Sequence, residues 1–435
     1  MERFALSRMK EWKENENRKP LIIRGARQVG KTWIMKTFGQ QYFEKTAYVN
    51  FDNNARMKQV FEGDLDIERL VLSISAETGV SIEAENTLII FDEVQEVPKA
   101  LTSLKYFYEN APQYAIVAAG SLLGVALHQG TSFPVGKVDF LDLYPLNFRE
   151  FLCAMGEKQF VSMLDSCDTQ MVTVFKTKYI ERLREYYFVG GMPEVVKDFS
   201  EKKDYNRVRA IQKNLINYYQ QDFSKHAEIK LVPRLNLVWN SIPMQLAKEN
   251  KKYIDGQVRE GSRAKDFELA IQWLLDCGLI HKVQRIQKPD LPLKAYIDFD
   301  SFKLFLVDIG LLIAMTDLDA KVIIEGNKIF TEFKGALTEQ YILQQLISDV
   351  GVIPYYYSTQ NSKGEIDFLV QGKTSVIPIE VKAEENLKAK SLKAFCEKYQ
   401  PSYAVRTSMS DYREQDWMTN IPLYAIKWIE NYVNQ

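Results

Sequence analysis

Gly25, Gly30, Lys31 and Thr32, set in LIIRGARQVGKT at residues 21–32, have the types and spacing to handle a chain of phosphates. The order GxxxxGK[ST] directly after the apolar run Leu21, Ile22 and Ile23 is the Walker A pattern in its strand–loop–helix setting. Its glycines let the backbone wrap closely, so N–H groups from Gly25, Ala26, Arg27, Gln28, Val29 and Gly30 can surround an anion. The positive end of the following helix faces the same point. Lys31 would reach the β- and γ-phosphates, and Thr32 would offer its hydroxyl to Mg²⁺. A glycine turn ahead of a helix can arise by chance, but the full pattern in this place predicts a loop for ATP.

A second group lies in TLIIFDE, residues 87–93, an apolar run that ends in adjacent acids. Asp92 is placed to hold Mg²⁺ through water, and Glu93 to polarise an attacking water as a general base. Downstream, YAIVAAGS at residues 114–121 is another buried-strand pattern, and its last residue, Ser121, is small and hydrogen-bonding. If that strand lies between the other two, Ser121 sits beside the γ-phosphate; a simple turn accounts for it equally well.

A third group lies near the other end. Asp367 falls in GEIDFLVQ, and Glu380 and Lys382 fall in SVIPIEVKA. Two residues apart on a strand, Glu380 and Lys382 project from one face, and a hairpin between Gln371 and Thr374 brings Asp367 opposite them. Two carboxylates and a lysine so gathered could bind Mg²⁺ and stabilise a hydroxide attacking a phosphodiester. Glu339, on the amphipathic helical stretch FKGALTEQYILQQL, can complete that site. Acids and lysines alternate on many exposed strands, but IEVK stands in an apolar one, where unpaired charge is costly.

The elements that must position these groups follow from the hydrophobic periodicity. A short amphipathic helix over residues 3–12 precedes the phosphate loop. Strands are expected at residues 46–52, 87–93, 114–121 and 137–143, with helices between them. With the strand before the loop these make a five-stranded parallel sheet with helices on both faces, an α/β arrangement. From 159 to about 224 the pattern is helical and rich in aromatics, broken by VGGMPEVV, whose Gly190, Gly191 and Pro193 mark a fixed turn. Residues 231–283 suggest helix, turn, helix and the start of a strand pair, similar to a winged helix. Lys248, Lys251, Lys252, Arg259, Arg263 and Lys265 gather near its turn and either meet phosphates or form a solvated basic edge. The division expected is 1–155, 156–230, 231–320 and 321–435.

The 435 residues exceed what one core usually organises. A net charge of −1 excludes a global basic field, so any nucleic-acid site is a local patch. No apolar run approaches the roughly 18 residues of a membrane span, and the charged first 19 residues lack the core of a signal peptide. Cys153, Cys167, Cys277 and Cys396 are scattered, which suggests neither a disulfide framework nor a zinc site and fits a reducing cytoplasm. His128, His226 and His281 are too dispersed for a metal cluster or a serine-type triad.

The order of these motifs resembles the AAA+-like P-loop ATPases of bacteria and archaea that carry a C-terminal PD-(D/E)xK nuclease-like domain. LIIRGARQVGKT, FDE, the segment from Gly120 to Gly124 and the PLNFREFL run from Pro145 to Leu152 carry the resemblance, with Asp367, Glu380 and Lys382 at the nuclease positions. It implies a P-loop NTPase fold, a helical and winged-helix middle and a restriction-endonuclease-like end. It also implies ATP and Mg²⁺ as ligands, DNA as a partner and a possible homo-oligomer. The family often has Gly-Arg before the fifth strand where this chain has Gly136-Lys137; a lysine cannot make the arginine's fork contact, which leaves Arg149 as the fallback. Related domains can keep the nuclease fold and lose the chemistry, so an ATP-regulated nuclease and an ATP-driven switch with a silent nuclease fold both remain open.

Overall fold

In the computed structural model the described residues are 1–120, 134–248, 251–325, 331–359, 364–384 and 389–435. The chain divides into two compact units, one of residues 2–144 with 276–279 and the other of 145–275 with 280–435.

The smaller unit is the expected parallel α/β sheet. Its strands are β1 (Leu21–Arg24), β2 (Lys45–Asn50), β3 (Thr87–Asp92), β4 (Ala115–Ala119) and β5 (Asp139–Asp142). Their order across the sheet is β2-β3-β4-β1-β5, with every neighbour parallel. β4 therefore lies between β3 and β1, as the Ser121 expectation requires, although Ser121 itself lies outside the described residues. β3 and β4 are buried throughout, so their apolar runs pack on both faces as central parallel strands must. Phe51, Phe61 and Phe91 meet edge to face with centroids 5.4–5.6 Å apart, which anchors the helix Ala55–Glu62 over β3.

The larger unit holds an eight-stranded mixed sheet, with strands β6 (Ile280–Ile286), β7 (Ile297–Leu306), β8 (Tyr355–Ser358), β9 (Glu365–Gln371), β10 (Val376–Val381), β11 (Val405–Ser408), β12 (Arg413–Gln415) and β13 (Met418–Pro422). The order is β12-β13-β11-β10-β9-β8-β6-β7. The β6–β7 hairpin, expected as the wing of a separate module, joins the C-terminal sheet through a parallel pairing of β6 with β8. The two helices expected before it span Val232–Leu246 and Ala264–Asp276, and Ile280 starts β6.

The Gly190–Gly191 turn has a packing reason. Gly190 adopts φ +73°, and a Cβ there would collide with the Asp308 carboxylate. The Gly191 N–H donates to Asp308 Oδ2 at 2.6 Å, and Gln212 caps the Phe188 and Val189 carbonyls. Only glycine admits this approach of backbone to a buried acid.

Candidate nucleotide and carboxylate sites

The phosphate loop joins β1 to the helix Lys31–Tyr42, whose N-cap is Gly30 at φ +96°. Gly25 is at φ +148°, and a side chain there would strike the Leu143 carbonyl. Gln28 takes φ +65° without being glycine, a conformation that costs of the order of 1 kcal/mol or more. The loop is clamped from the amino-terminal end: buried Arg3 donates to the Val29 carbonyl at 3.0 Å and to the Tyr144 carbonyl at 2.6 Å. Nothing in the sequence pattern singled out Arg3.

Lys31 is 6 % exposed and donates to the Gly25 and Ala26 carbonyls at 2.9 and 2.8 Å. Burial pushes its ammonium down to about 8, against the opposing pull of Glu93 and Asp92. The side chain is thus folded into the loop that a phosphate would occupy. Thr32 Oγ1 donates to Asp92 Oδ2 at 2.7 Å, so the two residues read as Mg²⁺ ligands share one point. Tyr48, from β2, donates to the same oxygen at 2.9 Å. Burial and Asp92 hold its phenol well above the usual range. Glu93 follows β3 in the left-handed region at φ +51°, a strain characteristic of functional positions. Its Oε2 accepts from Gln95 Nε2 at 2.7 Å. The hydroxyl, the aspartate and the buried lysine supply the donor set that Mg²⁺ with a nucleoside triphosphate requires.

Arg149, the fallback, and Lys137, which stands where the family often has arginine, are both engaged in ion pairs. Arg149 pairs with Asp349 at 2.8 Å and also with Asp165, and Lys137 pairs with Glu109 at 3.0 Å. Arg149 is therefore a structural clamp of the larger unit.

In the larger unit the carboxylates come together. The antiparallel register of β9 with β10 sets Phe368 opposite Ile379, and the next rung brings Asp367 to Glu380. Asp367 Oδ2 accepts from the Val381 N–H at 2.7 Å, and Lys382 Nζ lies 2.6 Å from Glu380 Oε1. Glu339 reaches the group from the helix Thr331–Gln345. Burial and the neighbouring Glu339 raise the Asp367 carboxyl, with Lys303 and Lys251 opposing. Glu339 is held below its usual range by Lys251 and Lys303, although burial works the other way.

Three partners of this cluster were not expected. Lys303 on β7, with no side-chain exposure, lies 2.5 Å from Glu365 Oε1 and 3.6 Å from Glu339 Oε2. Lys251, one of the basic residues expected either to meet phosphates or to form a solvated edge, pairs with Glu339. Glu380 Oε2 is buried without a hydrogen-bond donor and Glu339 Oε2 has only Lys303, at 3.6 Å, an arrangement that favours a cation. Yet three ammoniums stand among these acids, and no three ligating groups gather as a metal site among the described residues. The donor set does not fit a preformed Mg²⁺ site.

Residues 17–152 match the family described as AAA domain. The smaller unit is accordingly an AAA-type P-loop ATPase domain. Residues 180–322 and 334–426 match two families described as domains of unknown function (DUF8612 and DUF4143). No curated protein matches the chain. Similar solved structures include the Walker-type ATPase PABY2304 of Pyrococcus abyssi, at 15 % identity and TM-score 0.44, covering 72 % of this chain and 95 % of that one. The Aeropyrum pernix ORC1 protein in complex with DNA is similar at 13 % identity and TM-score 0.27, covering 72 % and 91 %. Drosophila ORC bound to DNA is similar at 13 % and 0.27, covering 74 % and 95 %. Likeness at this level says nothing about activity. Among the described residues no helix is long and apolar enough to cross a membrane.

Proposed function

We propose that the chain is a Mg²⁺-dependent ATP-binding and ATP-hydrolysing protein that couples its nucleotide state to a nuclease-like C-terminal domain acting on DNA. The observation that carries the ATPase part is the meeting of Thr32 and Asp92 at 2.7 Å beside buried Lys31. In the working site Lys31 leaves the Gly25 and Ala26 carbonyls for the phosphates, and the loop N–H groups close on the same anion. Glu93, released from Gln95, orients and deprotonates the attacking water. Mg²⁺, when bound, neutralises charge on the β- and γ-phosphates. A homo-oligomer, whose neighbouring subunit could supply an arginine, and a cytoplasmic setting belong to the same proposal.

The nuclease-like part is supported by topology. The helix Thr331–Gln345 is followed by the antiparallel run β8–β9–β10, the crossover helix Lys390–Tyr399 and β11 parallel to β10. Asp367 lies in β9, Glu380 in β10 and Lys382 one residue past it, a placement that supports the PD-(D/E)xK-like reading. A specific observation favours the second reading, an ATP-driven switch or scaffold whose nuclease-like domain binds without cutting: the carboxylates are answered by Lys251, Lys303 and Lys382. The two helices Val232–Leu246 and Ala264–Asp276, with the β6–β7 hairpin, support a winged-helix-like DNA contact through exposed Arg259, Arg263 and Lys265.

The test is DNA binding and cleavage with Mg²⁺ or Mn²⁺, with and without ATP, for wild type, Lys31→Ala and Lys382→Ala. Cleavage lost in Lys382→Ala and altered in Lys31→Ala supports the coupled nuclease. Nucleotide-sensitive, salt-sensitive binding without cleavage supports the switch. Absence of both sinks the DNA proposal.

A further inference from the structure

Lys303 is the least expected member of the carboxylate cluster. It lies on β7, opposite Val283 of β6, and its ammonium is enclosed by Glu365, Glu339 and the face of Tyr356, 4.8 Å from the ring centroid. The acids near it and Asp367 keep its charge on, although burial opposes it. A buried ammonium survives only with its counter-charges in place. A divalent ion at the same carboxylates would have to displace it or sit against a like charge.

The charges are close to balanced. Glu339, Glu365, Asp367 and Glu380 face Lys251, Lys303 and Lys382. Glu380 Oε2 has no hydrogen-bond donor, and Glu339 Oε2 has only Lys303, at 3.6 Å, so the lysines do not exhaust the acids' capacity. The remaining capacity is directed at a cation.

We propose that Lys303 is the resident cation of this cluster, an internal competitor that holds the place of a divalent ion and keeps the site from loading Mg²⁺ or Mn²⁺. The proposal rests on the nuclease-like reading of β9 and β10 and adds a reason why such a domain would bind without cutting. The hairpin that delivers Lys303 is the one the C-terminal sheet recruits through β6, so the competitor is built into the fold.

The experiment is Mn²⁺ binding to the full chain without nucleotide, read from the free-ion EPR signal. An Asp92→Asn background removes the metal acid of the phosphate loop. Lys303→Met is compared with Lys303→Met/Glu365→Gln, because the single change leaves the Glu365 carboxylate without its counter-charge and the double change does not. Circular dichroism checks that each variant is folded. The expected result is negligible binding in the background protein at sub-millimolar Mn²⁺. A folded Lys303 variant should gain a site at least about tenfold tighter, a large effect on a binding constant, and lose it again with Glu380→Gln. If the background protein already binds tightly and Glu380→Gln abolishes that binding, the competitor idea fails while the nuclease-like reading stands. If folded variants gain no site, the cluster is not a cation site, and both ideas lose their basis.

Discussion

The Thr32 hydroxyl and the Asp92 carboxylate meet at 2.7 Å, bringing the helix Lys31–Tyr42 and the end of β3 to a common oxygen. Residues 60 positions apart are thereby joined through β4, which separates β3 from β1. The contact is the hinge of the ATPase reading. Tyr48 Oη completes the group, and a neutral donor on this carboxylate both orients it and competes with any cation. Tyr48→Phe should therefore lower the Mg²⁺ concentration needed for half-maximal ATP turnover. An unchanged Mg²⁺ titration would show that Tyr48 has no part in the site.

Arg3 ties the loop to the chain end of β5 through the Val29 and Tyr144 carbonyls. Hydrogen bonds from a charged donor are worth roughly 1.5–3 kcal/mol each. Arg3→Ala should loosen the loop and raise the KM for ATP several-fold with a smaller change in kcat. A fall in kcat alone would contradict this positioning role.

Phe91 lies at the centre of the aromatic trio under the helix Ala55–Glu62 and is fully buried. Phe91→Ala should cost about 3–5 kcal/mol, enough to unfold much of the smaller unit at physiological temperature. A thermal melt of that unit shifted by only a degree or two would refute the packing argument.

In the larger unit two groups oppose one another in their response to acid. Burial raises the Asp308 carboxyl to about 6, against the hydrogen bonds from Gly191 and Leu311. Its folded pKa exceeds the unfolded value, so its contribution is fully present at low pH and lost as pH rises toward 6. Burial pushes His281 down to about 4, so its contribution is present above the unfolded pKa and lost as pH falls toward 4. Asp308→Asn should make the unit lose more stability between pH 7 and 5 than wild type does, and His281→Gln should make it lose less. Hydrogen exchange in the larger unit's amides at the two pH values reads both; slopes of the reverse sign would exclude these assignments.

Much of the ATPase unit was legible in the sequence because its signals are local. The strand, the loop of Gly25 to Gly30 and the helix start are contiguous, and β3 ends in its own acids. The larger unit was less legible because its decisive contacts are not local. The recruitment of β6 by β8 rests on a parallel register of two residue pairs, Arg285 with Tyr356 and Ile286 with Tyr357, and no turn residue encodes it. Lys303 looked like one lysine in an ordinary strand, IDFDSFKLFL. Its burial is decided by Glu339 and Glu365, which arrive from other elements. Lys251 was undecided for the same reason: a basic residue at a turn has the same appearance whether a phosphate, solvent or a carboxylate awaits it. The meeting of Asp367, Glu380 and Lys382 is legible because the hairpin joining β9 to β10 is short, whereas Lys251 and Lys303 arrive from distant segments.

The most direct measurement is steady-state ATP hydrolysis with Mg²⁺ by wild type, Lys31→Ala and Glu93→Gln, alongside fluorescent ATP-analogue binding to each. Loss of the general base should cost at least about 10²-fold in turnover. Wild type should hydrolyse ATP, Lys31→Ala should bind weakly without turnover, and Glu93→Gln should keep binding with turnover lost. Wild-type turnover that survives in both variants would contradict these roles.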